Sequence, residues 1–261
     1  SLVGSEMCIR DSYKPSYGRL STQGVIPLSP SVDHAGFFTK DIPSALFMAE
    51  FLVEDWNRDL KPQRQPSLGI PAGAYLENAS EEMRDHFHHT CEQLALAGYK
   101  ITSVEIMDDF EQIKNRHNLI VAAEAHAVHK DWYTKYAELY HPKTAELLLR
   151  GESISETELK SALAGREKLR GEISLAMTEN GIDLWLSPAA TGPAPKGLES
   201  TGDPVMNLPW TYSGLPTVSI NSGKNRDNLP LGLQISGAWN QDERLLEWTT
   251  KLEIDLARRM K

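Results

Sequence analysis

Histidine is the side chain that most readily does acid–base or metal chemistry near neutral pH, and six of the eight histidines in this 261-residue sequence fall in two groups. His86, His88, His89, Cys91 and Glu92 lie within two helical turns, with His88 and Glu92 one turn apart, a spacing at which both could reach one metal ion. A zinc site needs three or four converging ligands. This stretch offers two on one face, so a polar helix face over a buried cysteine is the plainer reading. His117, His126 and His129 share a second stretch with Glu124. His126 and His129 are surface neighbours on a helix, which suits either a solvated stripe or a cleft wall. Trp132, Tyr133, Tyr136 and Tyr140 follow at helical spacing, as core packing or, less simply, as the lining of a binding site. The sequence holds no G-x-S-x-G, S-x-x-K, H-E-x-x-H, C-x-x-C or Gly-rich phosphate loop. Local spacing alone therefore builds no activated nucleophile.

The periodicity predicts the elements that must hold these residues. A helix is expected over 43–55, with proline in its first turn and Ala45, Leu46, Ala49, Leu52 and Val53 on one stripe. A second runs over 80–97 from an N-cap at Ser80 to a stop at Gly98, burying Met83, Phe87, Leu94 and Ala97. A long helix over 110–139 turns Ile113, Ile120, Val121, Val128, Trp132 and Leu139 inward. Another starts at a capping box, Ser155 with Glu158, and runs through Leu159, Leu163, Leu169, Ile173 and Met177 to Gly181. Strands are expected at 67–70, 100–107, 183–186, 217–220 and 231–236. A last helix from Gln241 buries Leu245, Leu246, Trp248, Thr249 and Leu252. Strands that alternate with helices, none beside a tight hairpin turn, predict an α/β fold whose sheet is covered on both faces.

Composition narrows the functional classes. A net charge of −9, with 27 basic against 36 acidic residues, disfavours nucleic acid and anionic membrane as general partners. No apolar run is long enough to cross a bilayer, and no secretory signal stands out at the N-terminus. Two cysteines, Cys8 and Cys91, fit a reducing cytosol better than a disulfide framework.

Three stretches then share one resemblance. Lys14-Pro15-Ser16-Tyr17-Gly18-Arg19, followed by Ser31-Val32-Asp33-His34-Ala35-Gly36-Phe37-Phe38-Thr39, resembles the K-P-[ST]-x-G-R and S-x-D-x-x-G segments of amidase-signature enzymes. Asp183-Leu184-Trp185-Leu186-Ser187-Pro188 is similar to that family's D-x-[LW]-[LI]-[ST]-P strand. Pro204 to Pro216, continuing to Leu229-Pro230-Leu231-Gly232-Leu233-Gln234, resembles its N-x-x-G-x-P and G-[LI]-P-x-G-[LV]-Q ending. Order and spacing agree, and the resemblance covers residues 13–261. It implies a mixed β-sheet sandwiched between helices, made incomplete by a missing N-terminal part. It also implies cofactor-free hydrolysis of a small carboxamide to an acid plus ammonia or an amine. The family's Ser–cis-Ser–Lys triad lies upstream of K-P-[ST]-x-G-R, in Gly/Ser-rich turns that supply the nucleophile and oxyanion donors.

In this chain residues 1–12, SLVGSEMCIRDS, occupy that place. Ser5 and Ser12 are its only serines past position 1, and neither is flanked by a Gly-Gly turn. No catalytic residue is therefore assigned. Residues 1–12 read as a leader foreign to the rest, of the kind a translated adapter sequence leaves, with an alternative start or a split gene as the biological explanation. On the substrate side, the loop before N-x-x-G-x-P borders the family's acyl pocket, and Asp203, Asn207 and Trp210 match it. Asn207 equally suits a turn-fixing role and Trp210 a core position. Arg166 and Arg170 are weaker candidates on the preceding helix. Three functional readings stand: a fragment of an amidase, with little or no activity of its own; a non-catalytic remnant or partner of a separate N-terminal chain; and the amidase subunit of a tRNA-dependent amidotransferase.

Overall fold

Period-two alternation gives each central strand one side chain for either face of a sheet. In β5 (Leu184–Pro188), Leu184 and Leu186 enter one apolar cluster and Trp185 the other. β6 (Thr217–Lys224) and β7 (Pro230–Gly237) send Val218, Ile220, Leu233 and Ile235 to the same side as Leu184. The computed structural model, which describes residues 11–259, joins these strands to β1 (Asp11–Lys14), β2 (Phe37–Thr39), β3 (Leu68–Ala72) and β4 (Ile101–Glu105) in one seven-stranded sheet of order β2-β1-β6-β7-β5-β3-β4. The β5–β3 and β3–β4 pairs are parallel and the others antiparallel, so the sheet is mixed.

Both faces are covered, as the sequence predicts. α1 (Ile42–Leu52), α2 (Glu81–Leu96) and α7 (Asp242–Arg259) pack on the Leu184 side. α3 (Phe110–Tyr136), α5 (Glu156–Asn180) and α6 (Leu208–Ser213) pack on the Trp185 side, and α4 (Pro142–Glu152) lies against α3. The helix ends follow local chemistry. Ser80 accepts from the Met83 amide, and Ser155 and Glu158 cap each other's backbone reciprocally. α5 stops at Gly181, whose φ of +62° is left-handed and suits glycine.

Several expectations need correction. β6 and β7 are joined by the short loop 225–229 as an antiparallel hairpin, although no tight turn signal marks it. α4 escapes the periodicity because only Leu148 and Gly151 are buried along it. A Cβ at Gly151 would sit 2.0 Å from the Ala122 carbonyl, so glycine is what lets α4 approach α3 so closely. In the second half of α3 the stripe turns outward: Trp132 is 47% exposed and Leu139, just beyond the helix, 76%. Leu52 at the end of α1 is likewise exposed. At the start of the described residues, Asp11 of β1 pairs with Thr39, and Ser12 with Phe38 and Ser219.

Candidate substrate-side site

The Lys14–Arg19 motif is a clasp. Asp242, fully buried at the start of α7, accepts from Tyr13 Oη at 2.6 Å, from the Ser16 amide at 2.8 Å and from Ser16 Oγ at 2.7 Å. Arg19 forks onto Glu243 at 2.9 and 3.2 Å and lies 3.6 Å from Asp242. A buried carboxylate is tolerated when its oxygens are this fully bonded. Arg19 and hydrogen bonding hold the Glu243 carboxyl below its ordinary range against the opposing effect of burial.

The same clasp grips the Asn207–Pro216 motif. α6 ends at Gly214, in the left-handed region at φ +76°. Cations meet the carbonyls of its last turn and of the chain just beyond: Arg166 Nε donates to Tyr212 O at 2.9 Å, Arg170 Nε to Ser213 O at 2.7 Å, and Lys14 Nζ to Leu215 O, past the cap, at 2.6 Å. The Tyr17 amide donates to Gly214 O at 2.9 Å. Cations suit the negative end of a helix. The Arg166 guanidinium also lies over the Tyr17 ring and that of Arg170 over Trp239. Burial, opposed by Asp242, pushes the Lys14 ammonium down to about 7.

Of the three sequence candidates, Asp203 and Asn207 flank the adjoining turn and Trp210 lies in α6, at different depths. Asp203 is exposed, and its Oδ1 accepts from the Val205 amide at 2.9 Å, so it caps the short turn Pro204–Met206. Asn207 is half-buried, with Nδ2 3.4 Å from Ala189 O just past the end of β5. Trp210 is wholly buried and donates to Tyr75 Oη at 3.0 Å. Asp203 and Asn207 therefore share the rim of one turn, and Trp210 supports it from beneath.

The residues that fix this turn escape a reading of the sequence. Met206 O accepts from Tyr75 Oη at 2.6 Å and from Gln234 Nε2 at 3.1 Å, and Gln234 Nε2 also reaches Ser187 Oγ at 3.0 Å. Burial drives the Tyr75 phenol well above its ordinary range, so it stays a donor. The usable signal is Gln234, a polar residue wholly buried within an apolar strand, which must have partners.

Most of these histidines make structural contacts, while the buried His117 Nδ1 has no hydrogen-bond partner. His86 Nε2 lies 2.9 Å from Ser222 Oγ, which resembles a base beside a nucleophile. Ser222 Oγ, however, donates its own proton to Leu231 O at 3.1 Å. With that proton on Leu231 O, His86 Nε2 is the donor to Ser222 Oγ, the reverse of what activation requires. His126 bonds Leu148 O, and His129 bonds Tyr140 Oη and Pro27 O, pinning α4 and the loop before β2 to α3. His117 packs its ring against Tyr212 and is pushed down to about 4 by burial, with Arg166 adding to the effect. Glu124 accepts from Ser29 Oγ, the Ser31 amide and Ser31 Oγ, which docks the S-P-S-x-D stretch on α3. His89 and Glu92 form only an exposed contact at 3.8 Å. Burial raises the Cys91 thiol to about 12, and Cys8 lies outside the described residues. Among the described residues no three His, Cys, Asp or Glu side chains converge as a metal would require. Within α3, Trp132 and Tyr136 are exposed rather than packed in the core.

A mixed sheet between two helix layers, with a clasped turn at the end of α6, defines a three-layer α/β protein. The family model described as Amidase matches residues 13–246, and the chain belongs to that family. A glutamyl-tRNA(Gln) amidotransferase subunit from Novosphingobium aromaticivorans is 24% identical over 92% of this chain and 58% of its own length. An indoleacetamide hydrolase from Allorhizobium ampelinum is also 24% identical, with the same coverages. Among solved structures, a crystallised amidase superposes with a TM-score of 0.84 and 28% identity, over 97% of this chain and 58% of its own. A fatty acid amide hydrolase shares the fold at a TM-score of 0.79 and 18% identity. The chain thus spans less than two thirds of the length of the relatives it matches. Among the described residues no helix is long and apolar enough to cross a membrane.

Proposed function

We propose that the protein of which this chain forms part hydrolyses a small carboxamide in the cytosol, without a cofactor. Residues 13–259 would supply the scaffold and the acyl-side loop, with Asp203 and Asn207 at its rim and Trp210 behind them. The nucleophile would come from elsewhere, so this chain alone is inactive, and residues 1–12 are foreign to the domain. The observation that carries this reading is the hydrogen bonding of the motif lysine and of four serines. Lys14 is held on Leu215 O, Ser16 on Asp242, and Ser29 and Ser31 on Glu124, while Ser222 donates to Leu231 O. None of these is a free hydroxyl beside an available base.

The test is release of ammonia or amine from a panel of primary and aryl amides. The 261-residue chain should release none above buffer. A chain extended to the length of its relatives should turn over at least one amide, and Asn207→Ala should lower kcat/KM by about tenfold, the effect of one lost polar contact of about 1.4 kcal/mol. Turnover by the present chain overturns its inactivity. A folded, extended chain that turns over nothing overturns the reaction.

The names of several relatives favour a second reading, in which the parent is the amidase component of a glutamyl-tRNA(Gln) amidotransferase. Stable co-purification of the extended chain with the other components of such an enzyme would select it. The acidic net charge of −9 weighs against direct RNA contact by this part.

A further inference from the structure

Between the end of α5, the start of β5 and the first two turns of α7, the surface folds into a hollow of about 370 Å³. That volume lies within the ordinary range for small-molecule sites. Its apolar lining comes from Met177, Ile182, Ala238 and Trp248, and its uncharged polar lining includes Gln241. Three charged groups complete it: Arg64, Asp183 and Arg244. These three are not equivalent. Arg64 forks onto Asp183 at 2.6 and 2.7 Å, and Asp183 Oδ2 also accepts from the Ser67 amide at 2.7 Å, so this pair is satisfied within the fold. The Arg64 carbonyl takes the Trp248 indole N–H at 3.0 Å, and the Arg64 guanidinium lies over the Trp248 ring. Arg244 is exposed, makes no hydrogen bond or ion pair among the described residues and acts on Asp183 only through its field. The hollow thus presents one cation whose donors are uncommitted, on a chain with a net charge of −9. Arg244 and Trp248 are one turn apart on α7, so guanidinium and indole line the same side.

This arrangement selects by charge and by shape. A guanidinium offers parallel donors that match a carboxylate. Only one set of donors is open, so a single negative charge is matched, and a second would face Asp183. The apolar lining is satisfied by hydrocarbon or an aromatic ring rather than by an ion. Two further hollows along 60–65 share Arg64 and Trp248 with this one, which leaves room for a body longer than one ring. We propose that the hollow binds a small organic monocarboxylate, its carboxylate on Arg244 and its apolar body against Trp248 and Met177. None of the lining residues belongs to the Asp203–Gly214 stretch or to Lys14–Arg19. The inference goes beyond the proposed function and is read by binding rather than turnover, so the two fail separately.

Titration of the 261-residue chain with 4-phenylbutyrate, and with 4-phenylbutanol as its neutral counterpart, decides it. Calorimetry and the indole N–H signals in heteronuclear NMR supply the readouts. The acid should bind once per chain with a Kd below about 1 mM, and should shift the Trp248 indole signal more than those of the other tryptophans. The alcohol should bind about tenfold more weakly, as expected when a charge-assisted hydrogen bond is lost. Arg244→Gln should weaken binding of the acid by about the same factor and leave Tm unchanged, because this side chain has no bonds within the fold to lose. Ser174→Phe, which fills the hollow from the surface of α5 and keeps the arginine, should abolish binding. Absence of saturable binding by the acid at about ten times that concentration overturns the proposal. So does binding that survives both substitutions, or equal binding of the alcohol. Displacement of the acid by inorganic phosphate at the same concentration would make this a general anion site, and overturns it too.

Discussion

The two ends of β1 bury an aspartate neighbourhood in opposite ways. Beyond its Lys14 end, Asp242 takes three hydrogen bonds and an arginine, and its burial fixes two sequence motifs to α7. At its other end Asp11 is 4% exposed, with one carboxyl oxygen unpartnered, and it faces Glu253 and Asp41 instead of a cation. Burial, reinforced by Glu253, raises the Asp11 carboxyl to about 8. The contrast shows how differently two buried aspartates are partnered in one small neighbourhood. Asp242 meets donors on both oxygens, whereas Asp11 meets two further carboxylates, offset in part by a backbone hydrogen bond from Asn221.

The largest effect is expected at the clasp, where the contrast between the two ends is most exposed to refutation. Asp242→Ala leaves Tyr13 Oη, the Ser16 amide and Arg19 without their acceptor. Breaking a buried, bonded charge costs about 3–5 kcal/mol, and the shift in urea midpoint reads it. A cost below about 1 kcal/mol would remove the distinction between the two ends. Tyr75→Phe should cost about 1–3 kcal/mol by stripping a donor from Met206 O and an acceptor from Trp210. It should also speed exchange at the amides of the 203–207 turn.

Asp11→Asn probes the opposite end of β1, with the opposite sign. With its folded pKa raised to about 8, Asp11 binds a proton in the folded state that it has released in the unfolded state, where carboxyls titrate near 4. Stability contributed by this group therefore falls as pH rises from about 4 to about 8. The asparagine variant should be the more stable protein at pH 8 and should lose that component of the slope, as thermal melts across this range would show. The smallest effect is expected far from both ends. Ser155→Ala removes one cap of α5 and should cost about 1 kcal/mol in the same melts, as N-caps do.

Much of the architecture is legible because it is written in local chemistry. The capping box at Ser155, the cap at Ser80 and the stop at Gly181 need only neighbouring residues, and the alternating strands need only burial on both faces. The short strands β1 and β2 are not legible, because three or four residues carry no period and their pairing is set by partners far along the chain. The outward turn of α3 is invisible for a related reason. Trp132 and Leu139 keep the helical spacing, but whether a layer lies over them is a tertiary fact. At the site, the sequence points to one loop through Asp203, Asn207 and Trp210. It does not reveal their differing depths, nor the Tyr75–Met206–Gln234 contacts, which join residues from three distant segments. Lys14 and Arg19 are prominent in the motif, yet their roles as helix cap and ion-pair partner follow only from the geometry of α6 and α7.

Whether this chain holds an activated serine of its own is read most directly by intact-mass analysis of the purified 261-residue chain after treatment with a serine-directed fluorophosphonate. An unmodified mass is expected, because the motif hydroxyls are committed to Asp242, Glu124 and Leu231 O. Stoichiometric labelling at a single serine among residues 11–259 would contradict it.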